Sequence, residues 1–216
     1  STINLNAAAF NINDADAAAA TATLTGAVVL GANTVTVSGN RGGTDTAITF
    51  TSTIDADNAA ANNRKLVVNA GDSVATFGGN IGATQALADL DVTAATINLN
   101  GATVNVSDQG GNTATFTGPV VLGANVTINT DGAADNSVTF TGSVNADDAS
   151  TQDRTLTITA GRGTTTIGGS VGQAAITVSP LPTASQLAIT TQPSGSAPND
   201  AAFAVQPVVQ LKDING

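Results

Sequence analysis

The sequence predicts an all-β chain, a β-solenoid followed by a short β segment of different character. Three observations carry that expectation: a residue usage that favours strands and tight turns, a long internal repeat, and a beat of apolar residues spaced about one coil apart.

Composition comes first. The 216 residues include no Cys, His, Trp, Tyr or Met, and every acidic residue is Asp. Thr, Val, Ile, Ala, Asn and Gly dominate, which suits strands joined by tight turns. The Ala run at 17–20 is too short for a stable helix. The same composition removes most catalytic equipment. Without His no side chain has an unperturbed pKa near neutrality, and without Cys there is neither thiolate nor disulfide. Missing Cys does not fix a redox compartment, because stacked repeats bury a continuous core without disulfides.

The net charge of −10 argues against nucleic acid and against anionic membrane surfaces, both of which need a basic patch. No apolar run approaches the roughly 20 residues of a membrane span, so no membrane insertion is expected. No basic segment followed by an apolar stretch marks a leader, and the start at Ser1 is read as a processed or excised fragment.

The repeat is explicit. Thr25-Gly26-Ala27-Val28-Val29-Leu30-Gly31-Ala32-Asn33 returns with one change as Thr117-Gly118-Pro119-Val120-Val121-Leu122-Gly123-Ala124-Asn125. Thr2-Ile3-Asn4-Leu5-Asn6 returns as 96–100, Ile48-Thr49-Phe50 corresponds to Val138-Thr139-Phe140, and Arg64 corresponds to Arg154. Thr76-Phe77-Gly78-Gly79-Asn80-Ile81-Gly82 matches 166–172. Two long repeats follow, about 1–95 and 96–179.

The beat runs through Leu24, Phe50, Phe77, Phe116, Phe140 and Ile167, in steps of 26, 27, 39, 24 and 27. Most steps fit one coil of two or three short strands, and the step of 39 fits one and a half or two. Stacked in register, these residues would form one internal column, with Phe50, Phe77 and Phe140 one above another. An antiparallel sandwich is the alternative, but it supplies no reason for near-constant spacing. Strict alternation in Leu156-Thr157-Ile158-Thr159 sends the apolar residues inward.

The stretch Thr-Phe-Thr-Gly-Pro-Val-Val-Leu-Gly-Ala-Asn-Val-Thr-Ile at 115–128, with Leu-Thr-Ile-Thr-Ala-Gly at 156–161, resembles the β-strand repeats of giant bacterial exoproteins of the filamentous-haemagglutinin-like and autotransporter-like kinds. The resemblance covers roughly 1–179. It implies a right-handed parallel β-helix or related β-solenoid, an extracellular location at the bacterial cell surface or in a secreted fibre, and a role in attachment or fibre architecture.

Composition shifts at Ser179-Pro180-Leu181-Pro182, so 180–216 reads as a Pro-containing linker and a separate segment. Residues 184–195 and 202–213 are similar to the opening strands of bacterial Ig-like β-sandwich modules, which implies partial Ig-like β-sandwich strands. Such a module needs about 100 residues. Either the chain was cut from a longer one, or 184–213 complete a sheet in a neighbouring module or molecule by β-strand addition.

Asp55-Ala56-Asp57-Asn58 and Asn145-Ala146-Asp147-Asp148 occupy equivalent places in the two repeats. Calcium ligation and turn chemistry both account for them, but no EF-hand or nonapeptide spacing is present. Arg64 and Arg154 follow at the same offset and would each pair with a loop Asp. Grouped carboxylates on a β-helix bring polysaccharide cleavage to mind, yet there is no Trp or Tyr platform for a sugar. Thr-x-Thr runs at 21–25 and 155–159 raise the idea of an ice-binding ladder, but Thr is also an ordinary strand-surface residue. No catalytic, cofactor-binding or metal residue is assigned, and no cofactor. The expected function is structural and non-catalytic: a stiff β rod associating end to end with itself or with neighbouring modules. The alternative is an adhesin binding a glycan or protein ligand through its loops.

Overall fold

The computed structural model describes residues 1–12, 20–40, 44–57, 63–108, 112–132, 135–147, 153–172, 177–180, 186–191 and 208–212. The chain divides into two compact units, Ser1–Ser179 and Pro180–Gly216. The described residues contain strands, turns and bends and no helix, and the first unit is a parallel β-solenoid of about six turns.

Each turn visits three sides in the same order. The first holds β1 (Thr2–Leu5), β2 (Ala9–Asn11) and β3 (Thr21–Leu24), and the second β4 (Ala27–Leu30), β5 (Thr34–Ser38) and β6 (Ala47–Phe50). The third holds β7 (Ile54–Ala56) and β8 (Lys65–Phe77), whose two halves occupy the second and third sides. Ile81 alone represents the first side of the next turn, followed by β9 (Asp89–Leu99), again bent over two sides. Then come β10 (Thr103–Asn105), β11 (Thr113–Thr117) and β12 (Val120–Leu122); β13 (Val126–Asn129), β14 (Ser137–Phe140) and β15 (Val144–Ala146); and finally β16 (Thr155–Thr159) and β17 (Thr165–Ile167), with Val171 on the third side. β18 (Thr177–Pro180) pairs with β16 on the first side. In the second unit β19 (Gln186–Thr191) and β20 (Val208–Lys212) pair antiparallel.

Alternation explains why these segments close into a coil. β4, β6 and β14 each alternate half-buried and buried residues, so every second side chain enters the interior. Ile48, Phe50, Leu66, Leu90, Ile97, Phe116, Val138 and Phe140 are fully buried there. Each contributes about 1.5–3 kcal/mol of burial. The register is therefore strongly fixed, because a slip of one residue would exchange the core face for the solvent face.

The single Phe column is not what forms. Phe50 and Phe77 stack on the third side, with ring centroids 5.5 Å apart, and that column continues through Leu99 and Leu122 to Ala146. Phe116 and Phe140 stack 5.0 Å apart on the second side, in the column of Val37, Val68 and Val92. The long repeat explains the difference. Thr2 lies on the first side, but its counterpart Thr96 lies on the third, eleven sides later, one short of four full turns. Every element of the second repeat is consequently rotated by one side: β3 on the third side corresponds to β11 on the second, and β5 on the second to β13 on the first. The step of 39 residues from Phe77 to Phe116 is where this rotation falls, spanning five sides.

Coil length varies at the corners, from 22 residues between Ala75 and Ile97 to 31 between Thr34 and Lys65. Gly71, at φ 55°, turns β8 from one side to the next, and a Cβ there would run into the Asp45 carboxylate. Gly161, its repeat counterpart, has φ 53° and the same relation to Asp135.

Candidate functional site

The Asp-rich loops are built around a clasp. The Arg64 guanidinium donates to both Asp57 carboxylate oxygens, Nε to Oδ1 at 2.7 Å and the terminal nitrogen to Oδ2 at 2.8 Å, and its other terminal nitrogen donates to Asn33 Oδ1 at 2.7 Å. The Arg64 side chain is only 7% exposed, so it is held charged inside the corner by the Asp57 carboxylate, against the cost of desolvation. Arg154 repeats the two-pronged contact with Asp147 at 2.8 Å for both bonds, at 17% exposure. The expected pairing of each Arg with a loop Asp is thus what forms.

Asp55 accepts the backbone N–H groups of Thr84 and Gln85, at 2.9 and 3.2 Å, and so ties one turn to the next. Among the described residues no group of three acidic side chains is placed to hold a metal ion. Asn58 and Asp148, which complete the two loop motifs, lie outside the described residues.

Rotation also separates the Thr-x-Thr runs. Thr21 and Thr23 lie on the third side and Thr155 and Thr157 on the first, so they do not form one ladder. Short outward Thr rows occur instead on each side: Thr23, Thr49 and Thr76; Thr115, Thr139 and Thr166; Thr103, Thr127 and Thr157.

One charged cluster has no counterpart among the residues singled out from sequence. On the second side Lys65, Asp89 and Asp91 lie on adjacent strands. The Lys65 ammonium donates to Asn112 Oδ1 at 2.6 Å and lies 3.6 Å from an Asp89 carboxylate oxygen. The other Asp89 oxygen accepts the Thr113 N–H at 3.1 Å. Burial, then the neighbouring Asp89 charge, pushes the Asp91 carboxyl above its ordinary pKa, against a hydrogen bond from Thr115 and the Lys65 charge. The available signal was Asp89-Leu90-Asp91-Val92, two carboxylates on one face of an alternating strand. Lys65, however, becomes their neighbour only once the coil length of 24 is known.

Chemically, this cluster is a hydrogen-bonding surface on a sheet side, with Asp89 already engaged by backbone and lysine. Two other carboxylates serve the fold directly: Asp45 accepts the Asp72 N–H at 2.6 Å, and Asp135 accepts the Arg162 N–H at 2.7 Å, which holds the Asp135 carboxyl below its ordinary pKa. Comparison with protein-family models, with curated proteins and with solved structures gives no match to this chain.

Proposed function

We propose that this chain is a structural, non-catalytic segment of a secreted bacterial cell-surface or extracellular filament protein, a β rod that associates end to end. The observation that carries this reading is the assignment of charge. Among the described residues of the repeated loops, Arg64 with Asp57 and Arg154 with Asp147 clasp corners and Asp55 ties turn to turn, while the interior is a continuous apolar column on each side. About six turns at roughly 4.8 Å each give this solenoid a length of about 29 Å. The segment 180–216, with its paired β19 and β20, is read as the opening of an Ig-like module that joins the rod to a neighbour.

Electron microscopy of the purified chain, together with limited proteolysis, tests the reading. Protease-resistant rods, and surface labelling of intact producing cells, are the expected outcome. Turnover of a polysaccharide by the purified chain would overturn it.

An adhesin that binds a glycan or protein through its loops is the second reading, favoured by one observation. The two clasped loops leave the coil at different corners, one between β7 and β8 and the other between β15 and β16. A rotated display of this kind suits contact from more than one direction. Saturable binding on a glycan array, lost in Arg64→Ala and Arg154→Ala variants that remain folded, would support it.

A further inference from the structure

The two ends of the solenoid carry the two halves of a surface that the molecule already joins once, in its middle. Where the second repeat sits on the first, Leu99 covers Phe77 and Val104 covers Ile81. The Asn100 N–H donates to the Phe77 carbonyl at 2.9 Å, the Ile81 N–H to the Thr103 carbonyl at 2.8 Å, and the Asn105 N–H to the Ile81 carbonyl at 2.9 Å. The lower residues of that junction, Phe77 and Ile81, are each 1% exposed.

Their counterparts at the C-terminal end of the solenoid are Ile167 and Val171. Ile167 is only partly buried, and Val171, at 36%, is the exposed large apolar residue of the described chain. The counterparts of the upper residues, Leu99 and Val104, are Leu5 and Phe10 of the first turn, and Phe10 is only partly buried where Val104 is 2% exposed.

The backbone groups are complementary as well. Val144 donates to the Ser170 carbonyl and accepts from the Gly172 N–H, so the Val171 N–H and C=O point away from β15. At the other end the Ala8 carbonyl accepts from Thr36 and Ile12 donates to the Ser38 carbonyl, which turns Ala9 and Asn11 away from β5. Asn11 is the counterpart of Asn105 and Ala9 of Thr103, the residues that bond Ile81 in the middle of the chain.

We infer that the first turn of one chain docks on the last turn of a second copy, head to tail, with Leu5 on Ile167 and Phe10 on Val171. The inference rests on the reading of the chain as a structural rod, and adds to it the docking residues and the phase. Each junction rotates the pattern by one side of three, as the internal junction does, so a stack of long repeats returns to its starting phase after three. The contact is heterologous and does not close on itself, which makes a filament rather than a ring its natural product.

Because the natural chain has no Cys, single-cysteine variants of the full chain test the phase directly. Residues facing each other on neighbouring parallel strands are within disulfide reach. A mixture of Phe10→Cys and Val171→Cys chains, oxidised, is expected to give the mixed disulfide, whereas Phe10→Cys with Ile167→Cys gives little. Val171→Lys and Asn11→Pro, both at solvent-facing positions, should keep the melting temperature of the single chain while weakening association by about tenfold or more in sedimentation. Cross-linking of Phe10→Cys to Ile167→Cys in place of Val171→Cys would overturn the phase and leave an end-to-end rod standing. A natural chain whose sedimentation is concentration-independent would overturn the docking and the end-to-end reading together.

Discussion

Phe77 lies flat on Phe50, with an angle of 7° between the rings, while Phe140, the repeat counterpart of Phe50, lies on Phe116 on a different side of the coil. Two separate stacks from one repeated motif are the signature of a repeat that does not fill a whole number of turns.

Separate stacks have separable energetics. Phe77→Ala should cost about 3–5 kcal/mol in urea denaturation, and Phe140→Ala a similar amount. Because the two residues sit on different sides and three turns apart, the double variant should show additive losses within about 0.5 kcal/mol. Phe50→Ala combined with Phe77→Ala should instead depart from additivity, since the rings touch.

The two clasps differ in depth. Arg64→Ala removes a side chain that is 7% exposed together with its hydrogen bonds to Asp57 and Asn33. A loss of about 2–4 kcal/mol is expected. Arg154, at 17% exposure, should matter less, about 1–2 kcal/mol on the same measurement. Equal losses would count against burial as the source of the difference.

Three carboxyls contribute to the pH dependence, each with a definite sign. Asp91 is raised chiefly by burial, then by Asp89, and Asp108 is raised by burial. A folded carboxyl that holds its proton more tightly than the unfolded chain does favours folding at low pH. That contribution is lost as pH climbs from the ordinary carboxylate value through the raised one. Asp135, held low by the Arg162 N–H, acts oppositely: its contribution is present above the ordinary value and is lost as pH falls through the lowered one. Asp91→Asn should therefore raise the melting temperature at neutral pH and reduce the decline between acidic and neutral conditions. Thermal melts across that range check the sign.

At the bent corner of β8, Gly71→Ala places a methyl against the Asp45 carboxylate at a φ that L residues rarely adopt. The cost should be about 1–3 kcal/mol. Because Asp45 also accepts the Asp72 N–H, the cost of Gly71→Ala should be measured again in an Asp45→Ala background, where it should shrink by the part due to contact and leave the part due to backbone conformation.

Much of the architecture was legible before any coordinates. Alternation in Leu156-Thr157-Ile158-Thr159 set which residues face inward, and the burial of Leu156 and Ile158 agrees with it. The pairing of Arg64 and Arg154 with loop aspartates followed from their fixed offsets. Lys65 with Asp89 and Asp91 did not, because neighbours across a parallel ladder are separated by one coil, and that length changes from turn to turn with the corner.

By itself, then, the sequence determined a strand-forming chain, a long repeat and the inward set of side chains. These depend on local pattern, which a period of two residues records directly. Only the tertiary structure decided that the coil has three sides and that the second repeat is turned by one of them. Register between turns is chosen by stacking across 22 to 31 intervening residues, and no local pattern encodes a remainder of one side in four turns.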